Sequence, residues 1–104
     1  MILPPDPSLR DLQLLWESQY WYKKRGTWMW AAKAYETFIK FFGPDRKPRD
    51  IFRSDVLEFK QWLIKKGWKK TSIETIIEYG RRFYRILDER ELVEKDFNPF
   101  KLQL

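Results

Sequence analysis

The chain has 104 residues, with no cysteine and no histidine, and its 21 Lys and Arg residues against 15 Asp and Glu residues give a formal net charge of +6. The absent residue types exclude Cys/His zinc sites, disulfide bonds, redox thiols, imidazole general bases and any Ser–His–Asp or Cys–His hydrolase within this chain. The length predicts one domain with one core, and no apolar run approaches the roughly 20 residues of a transmembrane helix.

Proline and glycine residues, which interrupt helices, divide the sequence into four segments with helical periodicity. In none of these segments do apolar and polar residues alternate over the length of a strand. The first predicted helix runs from about Leu9 to Lys24, with Ser8 as its N-cap and Asp11 in its first turn. Lys23, Lys24 and Arg25 would close it, because cations are favourable at a helix C-terminus. One stripe of this helix contains Leu12, Leu15, Trp16, Gln19 and Tyr20.

The second predicted helix runs from about Trp28 to Phe42, with Thr27 as its N-cap. Trp30 and Phe41 fall outside its apolar sector, so two large rings have no place in a simple core stripe. At 100° per residue, that sector contains Trp28, Ala31, Ala32, Tyr35, Phe38, Ile39 and Phe42.

The third predicted helix begins with Ser54 as its N-cap and Asp55 in its first turn. Two lysines and then Gly67, a residue suited to the left-handed C′ position, predict its end. Its apolar face is Val56, Phe59 and Leu63, with Trp62 beside them.

The fourth predicted helix begins at Thr71, because Thr71-Ser72-Ile73-Glu74 matches the capping box S/T-x-x-E. Glycine inside a helix costs about 1 kcal/mol relative to alanine. Gly80 on the apolar face therefore predicts close approach of another helix backbone, for which the second helix at Ala31 and Ala32 is the best candidate. The apolar sector is Ile73, Ile76, Ile77, Gly80, Phe83, Tyr84 and Leu87.

The positive charge is spread over both halves of the chain: residues 1–52 carry 9 basic and 6 acidic residues, and residues 53–104 carry 12 and 9. A folded domain with a basic face indicates nucleic acid as the leading partner, with a membrane surface as the weaker alternative. Two basic turns precede predicted helices, at residues 23–25 and 65–70, where free backbone N–H groups also favour phosphate. Either cluster alone is weak evidence; the pair together favours DNA.

The acidic side chains Glu74 and Glu78 are spaced for one helix face, but arginines surround them in the sequence. We interpret them as partners in surface ion pairs and reject a metal site, so no metal or cofactor is predicted.

The segments also resemble a known family. Residues 51–56, Phe59, Leu63, the turn at Gly67 and the sequence Thr71-Ser72-Ile73 are followed by Gly80-Arg81, Phe83-Tyr84 and Asn98-Pro99. This order is similar to the N-terminal core-binding (SAM-like) domain of tyrosine recombinases, the phage-integrase family. In the second segment, Tyr35, Ile39 and Phe42 match the family's spacing.

The resemblance implies a compact all-α, four-helix domain, an orthogonal bundle of two helix pairs that forms half of a clamp around DNA. It divides the chain into an N-terminal extension (1–8), the core-binding domain (9–100) and the start of a linker (101–104) to a catalytic domain elsewhere in the parent protein. The fragment itself is then no enzyme. Glu74 and Glu78 depart from the family, as does Ala31 at a position where the family often has Thr. The arc with the glutamates would either face partly away from DNA or accept from a cytosine amino group.

We therefore predict a module that grips double-stranded DNA through the starts of its second and fourth helices, alongside other recombinase subunits. The alternative is a helical protein-interaction module that uses exposed aromatic rings, for which Trp30 and Phe41, together with Trp21 or Trp68, are the candidates. We expect a cytoplasmic protein, associated with the nucleoid when bound to DNA, and no membrane partner. The predicted DNA contacts are Lys24, Arg25, Thr27, Trp30, Lys33, Lys66, Lys69, Lys70, Thr71, Ser72, Thr75, Arg81 and Arg82.

Overall fold

The computed structural model describes residues 2–101, so Met1 and all but the first residue of the predicted linker lie outside the described part. The described residues form four α-helices and a short 3₁₀ turn, with no strand among them, which confirms the predicted all-α class. The chain divides after Asp50 into two compact units, one holding the pair α1 and α2 and the other the pair α3 and α4. The helices are α1 (Leu9–Ser18), α2 (Arg25–Phe42), α3 (Arg53–Lys65) and α4 (Lys70–Glu89), and the 3₁₀ turn is Pro48–Asp50.

The start of α1 is held by the predicted cap. The Asp11 amide donates to Ser8 Oγ at 3.3 Å, and the Ser8 amide donates to Asp11 Oδ2 at 2.9 Å. These reciprocal bonds form a capping box, which satisfies backbone donors that a helix start otherwise leaves without partners. The hydrogen bonds from Ser8 lower the pKa of Asp11 below its ordinary value, because they favour the charged carboxylate.

In the first unit, two buried polar aromatic side chains connect α1 and α2. Trp16 Nε1 donates to the Ala31 carbonyl at 2.8 Å, and the Tyr35 hydroxyl donates to the Leu9 carbonyl. Burial raises the pKa of Tyr35, so its hydroxyl remains a donor. The two rings stack with centroids 6.1 Å apart. Buried Tyr and Trp thus fix the helix pair by satisfied hydrogen bonds as well as by apolar area.

The N-terminal extension is tied to the segment that follows α2. Lys47 Nζ donates to the Asp6 carbonyl at 2.6 Å, and Arg49 forms an ion pair with the Asp6 carboxylate at 2.9 Å. The Leu9 amide also donates to the Arg46 carbonyl at 2.9 Å. These contacts position the residues before α1 within the first unit.

In the second unit, the apolar faces of α3 and α4 agree with the sequence prediction. Val56, Phe59 and Leu63 of α3 are buried, and Trp62 beside them is half-buried. All seven residues of the predicted α4 sector are buried, and Tyr79 joins them. The connection is a Schellman motif: Gly67 has φ +84°, its amide donates to the Ile64 carbonyl, and the Trp68 amide donates to the Leu63 carbonyl.

The prediction that Gly80 accommodates the backbone of another helix was wrong. Its close neighbour is the Phe100 ring in the C-terminal turn of the same unit: a Cβ added to Gly80 would lie 2.6 Å from Phe100 Cγ. Phe100 is buried against Tyr84 and Phe59, with ring centroids 5.7 Å and 6.4 Å away. The glycine therefore accommodates an aromatic ring from the turn after α4.

Several predicted helix starts and ends were also wrong. The first helix ends at Ser18 instead of Lys24. The Ser18 hydroxyl donates to the Leu15 carbonyl at 2.7 Å, and the backbone amides of the next two residues donate to carbonyls three residues earlier instead of four, which ends the α-helical pattern. The third helix begins one residue before Ser54, since Asp55 Oδ2 accepts from the Phe52 amide at 2.8 Å. Trp28, predicted in the core, is 40% exposed, and Ala34 and Thr37 are buried on α2 instead.

Within residues 2–101, no helix has both the length and the apolar character needed to cross a bilayer.

The contact between Gly80 and Phe100 predicts that Gly80→Ala destabilises the protein. Overpacking costs about 1–3 kcal/mol and outweighs the gain of about 1 kcal/mol in helix propensity. Chemical denaturation measures the loss. Gly26→Ala is the matched control, because a Cβ at Gly26 meets nothing within 4 Å and should leave stability unchanged or raise it.

The clash with the Phe100 ring also predicts that the effects of Gly80→Ala and Phe100→Ala on stability are not additive. With Phe100→Ala in the background, the alanine at position 80 should cost nothing or stabilise, since the clashing ring is gone. An equal loss from Gly80→Ala with and without the ring would contradict this account.

Candidate nucleic-acid interface

The start of α4 brings four predicted contact residues together. Lys69 is the N-cap, with extended backbone (φ −69°, ψ 149°), and Lys70, Thr71 and Ser72 are the first three helical residues. The first intrahelical bond runs from the Ile73 amide to the Lys69 carbonyl, 3.0 Å. Three backbone N–H groups therefore precede it, at the positive end of the helix dipole, without a side-chain cap.

The predicted capping box at Thr71 was wrong, because the helix begins earlier. The Schellman motif after α3 leaves only Trp68 between Gly67 and the N-cap, so helical backbone resumes at Lys70. Thr71 is the second helical residue, and its carbonyl accepts from Thr75 Oγ1 at 2.9 Å. Thr71 remains exposed, while Ser72 and Thr75 are half-buried.

The start of α2 repeats this pattern in the first unit. Lys24 is its N-cap without a side-chain hydrogen bond, Arg25 is its first residue, and the Trp28 amide donates to the Lys24 carbonyl at 3.0 Å. Thr27, predicted as the N-cap, is the third helical residue and is half-buried. The lysine and arginine that were expected to close the preceding helix thus begin this one.

The two remaining helices begin differently. Both α1 and α3 have an aspartate at the third position, Asp11 and Asp55, whose carboxylate accepts from the N-cap amide. Neither α2 nor α4 has an acidic residue in its first turn. The sequence hypothesis selected the same two helices, and the structure shows that both begin with cations and carry no cap.

Two predicted contacts are lysines placed over aromatic rings. Lys33 Nζ lies 5.4 Å from the ring centroid of Trp30, one turn earlier on α2. Lys66 Nζ, at the C-cap of α3, lies 4.5 Å from the ring centroid of Trp62. Cation–π contacts at exposed sites are worth about 0.5–1 kcal/mol, so they orient these ammonium groups without neutralising them.

The predicted contacts Arg81 and Arg82 belong to an ion-pair network around Glu78. The Glu78 carboxylate lies 3.2 Å from Arg81, 3.6 Å from Arg82 and 3.1 Å from Arg85. Arg81 Nε also donates to the Phe100 carbonyl at 3.1 Å, which ties Arg81 to the C-terminal turn. The four side chains together keep a net charge of +2, with Arg82 and Arg85 exposed.

A groove of about 760 Å³ lies beside the start of α4 in the second unit. Its floor is apolar, and Lys60, Lys70 and Arg81 line it together with Glu74. In the described chain, no three acidic side chains gather closely enough to hold a metal ion.

The exposed rings match the sequence prediction in part. Trp21 and Trp30 are exposed, whereas Phe41 and Trp68 are half-buried. The exposure of Trp28 was not predicted from the sequence. Its spacing of four residues from Lys24 was the available signal, because i and i+4 share a helix face.

No family model, curated protein or solved structure matches the chain.

The missing cap on α4 predicts that Lys69→Asp stabilises the protein. An aspartate at this N-cap would accept from the free N–H groups and interact favourably with the helix dipole, worth about 0.5–2 kcal/mol. Urea denaturation measures the change. Lys95→Asp, at an exposed position in the turn after α4, is the matched control and should change stability by less than about 0.5 kcal/mol. Equal changes in the free energy of unfolding for the two variants would show that the missing cap at the start of α4 carries no specific cost.

Proposed function

We propose that the chain is a DNA-binding module of the kind found as the core-binding domain of tyrosine recombinases, with the starts of α2 and α4 as its phosphate contacts. The observation that carries the proposal is that both helices begin with a lysine N-cap, a second cation and no acidic residue in the first turn. Cations at a helix N-terminus oppose the dipole, so this arrangement is unfavourable unless an anion occupies the site.

Phosphate oxygens fit these helix starts chemically. Each start offers backbone N–H donors aligned with the dipole and flanking ammonium or guanidinium groups, and these are the donors that bind nucleic-acid phosphates. Such contacts set the register and supply most of the affinity. The exposed Thr71 hydroxyl and the long side chains of Lys33 and Lys70 are the candidates for reaching base edges.

The glutamates on α4 fit the proposal in different ways. Glu78 is matched by three arginines, so it does not present an isolated carboxylate to a phosphate. Glu74 is exposed and lies one turn from Lys70, and it remains the candidate for accepting from a cytosine amino group.

In the recombinase interpretation, DNA cleavage belongs to a separate catalytic domain and this chain has no catalytic residue of its own. Such a module buries roughly 600–1,000 Å² on DNA and binds weakly by itself. Its place in the cell would be the cytoplasm, on the nucleoid when bound, alongside other recombinase subunits.

Duplex binding should depend steeply on salt. About five phosphate contacts predict a slope of log K against log salt near −4 to −5. Fluorescence anisotropy of a labelled duplex over a series of salt concentrations measures it. A flat plot would exclude the proposed electrostatic contacts.

Lys69→Glu combined with Lys70→Glu should weaken duplex binding and reduce the salt slope by about 2, since each lysine contributes about one phosphate contact. Arg90→Glu with Lys95→Glu is the matched control, because it makes the same charge change at exposed residues of the same unit. Circular dichroism checks that both variants fold. Equal weakening by the two double variants would show that the α4 start makes no specific contact.

A second candidate function, protein interaction, is favoured by exposed rings in the first unit, above all Trp21 and Tyr22. Aromatic residues are enriched at protein interfaces. This alternative predicts concentration-dependent sedimentation without DNA, whereas the DNA-binding proposal predicts one species without DNA and a shift only when duplex is added. Sedimentation velocity at several protein concentrations distinguishes them.

A further inference from the structure

The start of α2 differs from the start of α4 in its surroundings, because several exposed aromatic rings lie close to it in the sequence. Trp21 is 72% exposed, Trp28 40% and Trp30 36%. We call this set the tryptophan surface; it consists of Trp21, Tyr22, Trp28, Met29 and Trp30.

These rings are not needed to complete a core. The first unit already buries Trp16, Tyr35 and Phe38 together with three leucines of α1, Leu9, Leu12 and Leu15. Burying a large apolar side chain stabilises a fold, so leaving several rings in water forgoes stability. Exposed apolar patches of this kind mark binding sites.

Cations are interleaved with the rings. Residues 21–33 include four basic residues, Lys23, Lys24, Arg25 and Lys33, and no acidic residue. Lys23 Nζ lies 5.2 Å from the ring centroid of Tyr22, and Lys33 Nζ lies 5.4 Å from that of Trp30. The surface therefore alternates aromatic faces with positive charges.

On α2 the rings border a basic strip. Arg25, Met29 and Lys33 follow one another at intervals of four residues and are all exposed. Trp28 and Trp30 lie on either side of this strip, about 100° from Met29 in each direction. A chain lying along the strip would have cations beneath it and a ring on each flank.

We infer that the tryptophan surface binds unpaired nucleotides of DNA, so that the first unit prefers single-stranded or opened DNA to a closed duplex. The inference rests on the proposed DNA binding and adds a substrate form to it. A single strand alternates phosphates with exposed base faces, and this matches alternating cations and rings. Base–aromatic stacking of this kind is available in single strands and not in a stacked duplex.

The same arrangement of rings and cations disfavours two other partners, a protein surface and a lipid bilayer. A protein interface core is depleted of charge, whereas four cations lie among these rings. Insertion into a bilayer would carry the ammonium groups of Lys23 and Lys33 inward with the rings they cover, which is costly.

The test compares a labelled oligothymidine with a duplex of equal length, using fluorescence anisotropy at one salt concentration. Trp21→Ala with Trp28→Ala should weaken binding of the single strand about fivefold or more for each ring and change duplex binding by less than about twofold. Trp21→Phe with Trp28→Phe should retain most of the affinity, because the rings are kept. Leu14→Ala, which removes an exposed apolar side chain from α1, is the matched control.

The possible outcomes separate this inference from the proposed function. Tighter binding of the single strand that is lost in the alanine variant and kept in the phenylalanine variant supports the inference. Duplex binding that is unaffected by the alanine variant, with no preference for the single strand, overturns the inference and leaves the proposed function standing. Absence of binding to either DNA overturns both. The inference is also overturned if the alanine variant binds the single strand as tightly as the parent chain does, while it loses binding to vesicles with anionic headgroups or loses self-association.

Discussion

The constraint on which the structure depends is that its two longest helices begin with cations instead of caps. Lys24 and Lys69 occupy the N-cap positions of α2 and α4, which have 18 and 20 residues. A missing cap costs about 0.5–2 kcal/mol, and cations opposing the dipole add to that cost. The short helices α1 and α3, with 10 and 13 residues, are the ones whose starts are secured by aspartates. The chain thus has its unfavourable starts on helices with large buried faces, which offset the cost.

This distribution connects stability to function. The buried residues of α4 and the ring of Phe100 against Gly80 hold the helix without help from its first turn. The first turn is then free to present Lys69, Lys70 and three N–H donors. Around Glu78 the opposite solution applies, since three arginines are held by one carboxylate and one of them also anchors the C-terminal turn. Cations at the helix start and cations paired with Glu78 about three turns further on are two different ways of keeping positive charge on one helix.

Hydrophobic periodicity and capping patterns predicted the features that depend on residues close together in the sequence. The whole α4 sector, the α3 face, the Ser8 cap and the left-handed turn at Gly67 follow from local spacing, and the structure has them. The starts of α2 and α4 do not follow from it, because Thr27 and Thr71 are better caps than the lysines that the turn geometry selects. The ring against Gly80 comes from 20 residues further along the chain, a distance that local rules do not cover. Trp28 lies well inside its predicted sector but in the first turn of α2, where exposure depends on neighbours that periodicity does not describe.

The two cationic helix starts share the donors that we propose bind phosphate, and they differ in what surrounds those donors. At α4 the helix start carries the exposed Thr71 hydroxyl, and the nearby rings of Trp62 and Trp68 are half-buried. Hydroxyls and flexible lysines suit the backbone and groove edges of a paired duplex. At α2 the equivalent positions are flanked by exposed tryptophans, whose faces interact with a base only when that base is unstacked. In the proposed DNA-binding module, the same local motif lies beside an exposed hydroxyl in one unit and beside exposed rings in the other, and it would suit two different forms of DNA.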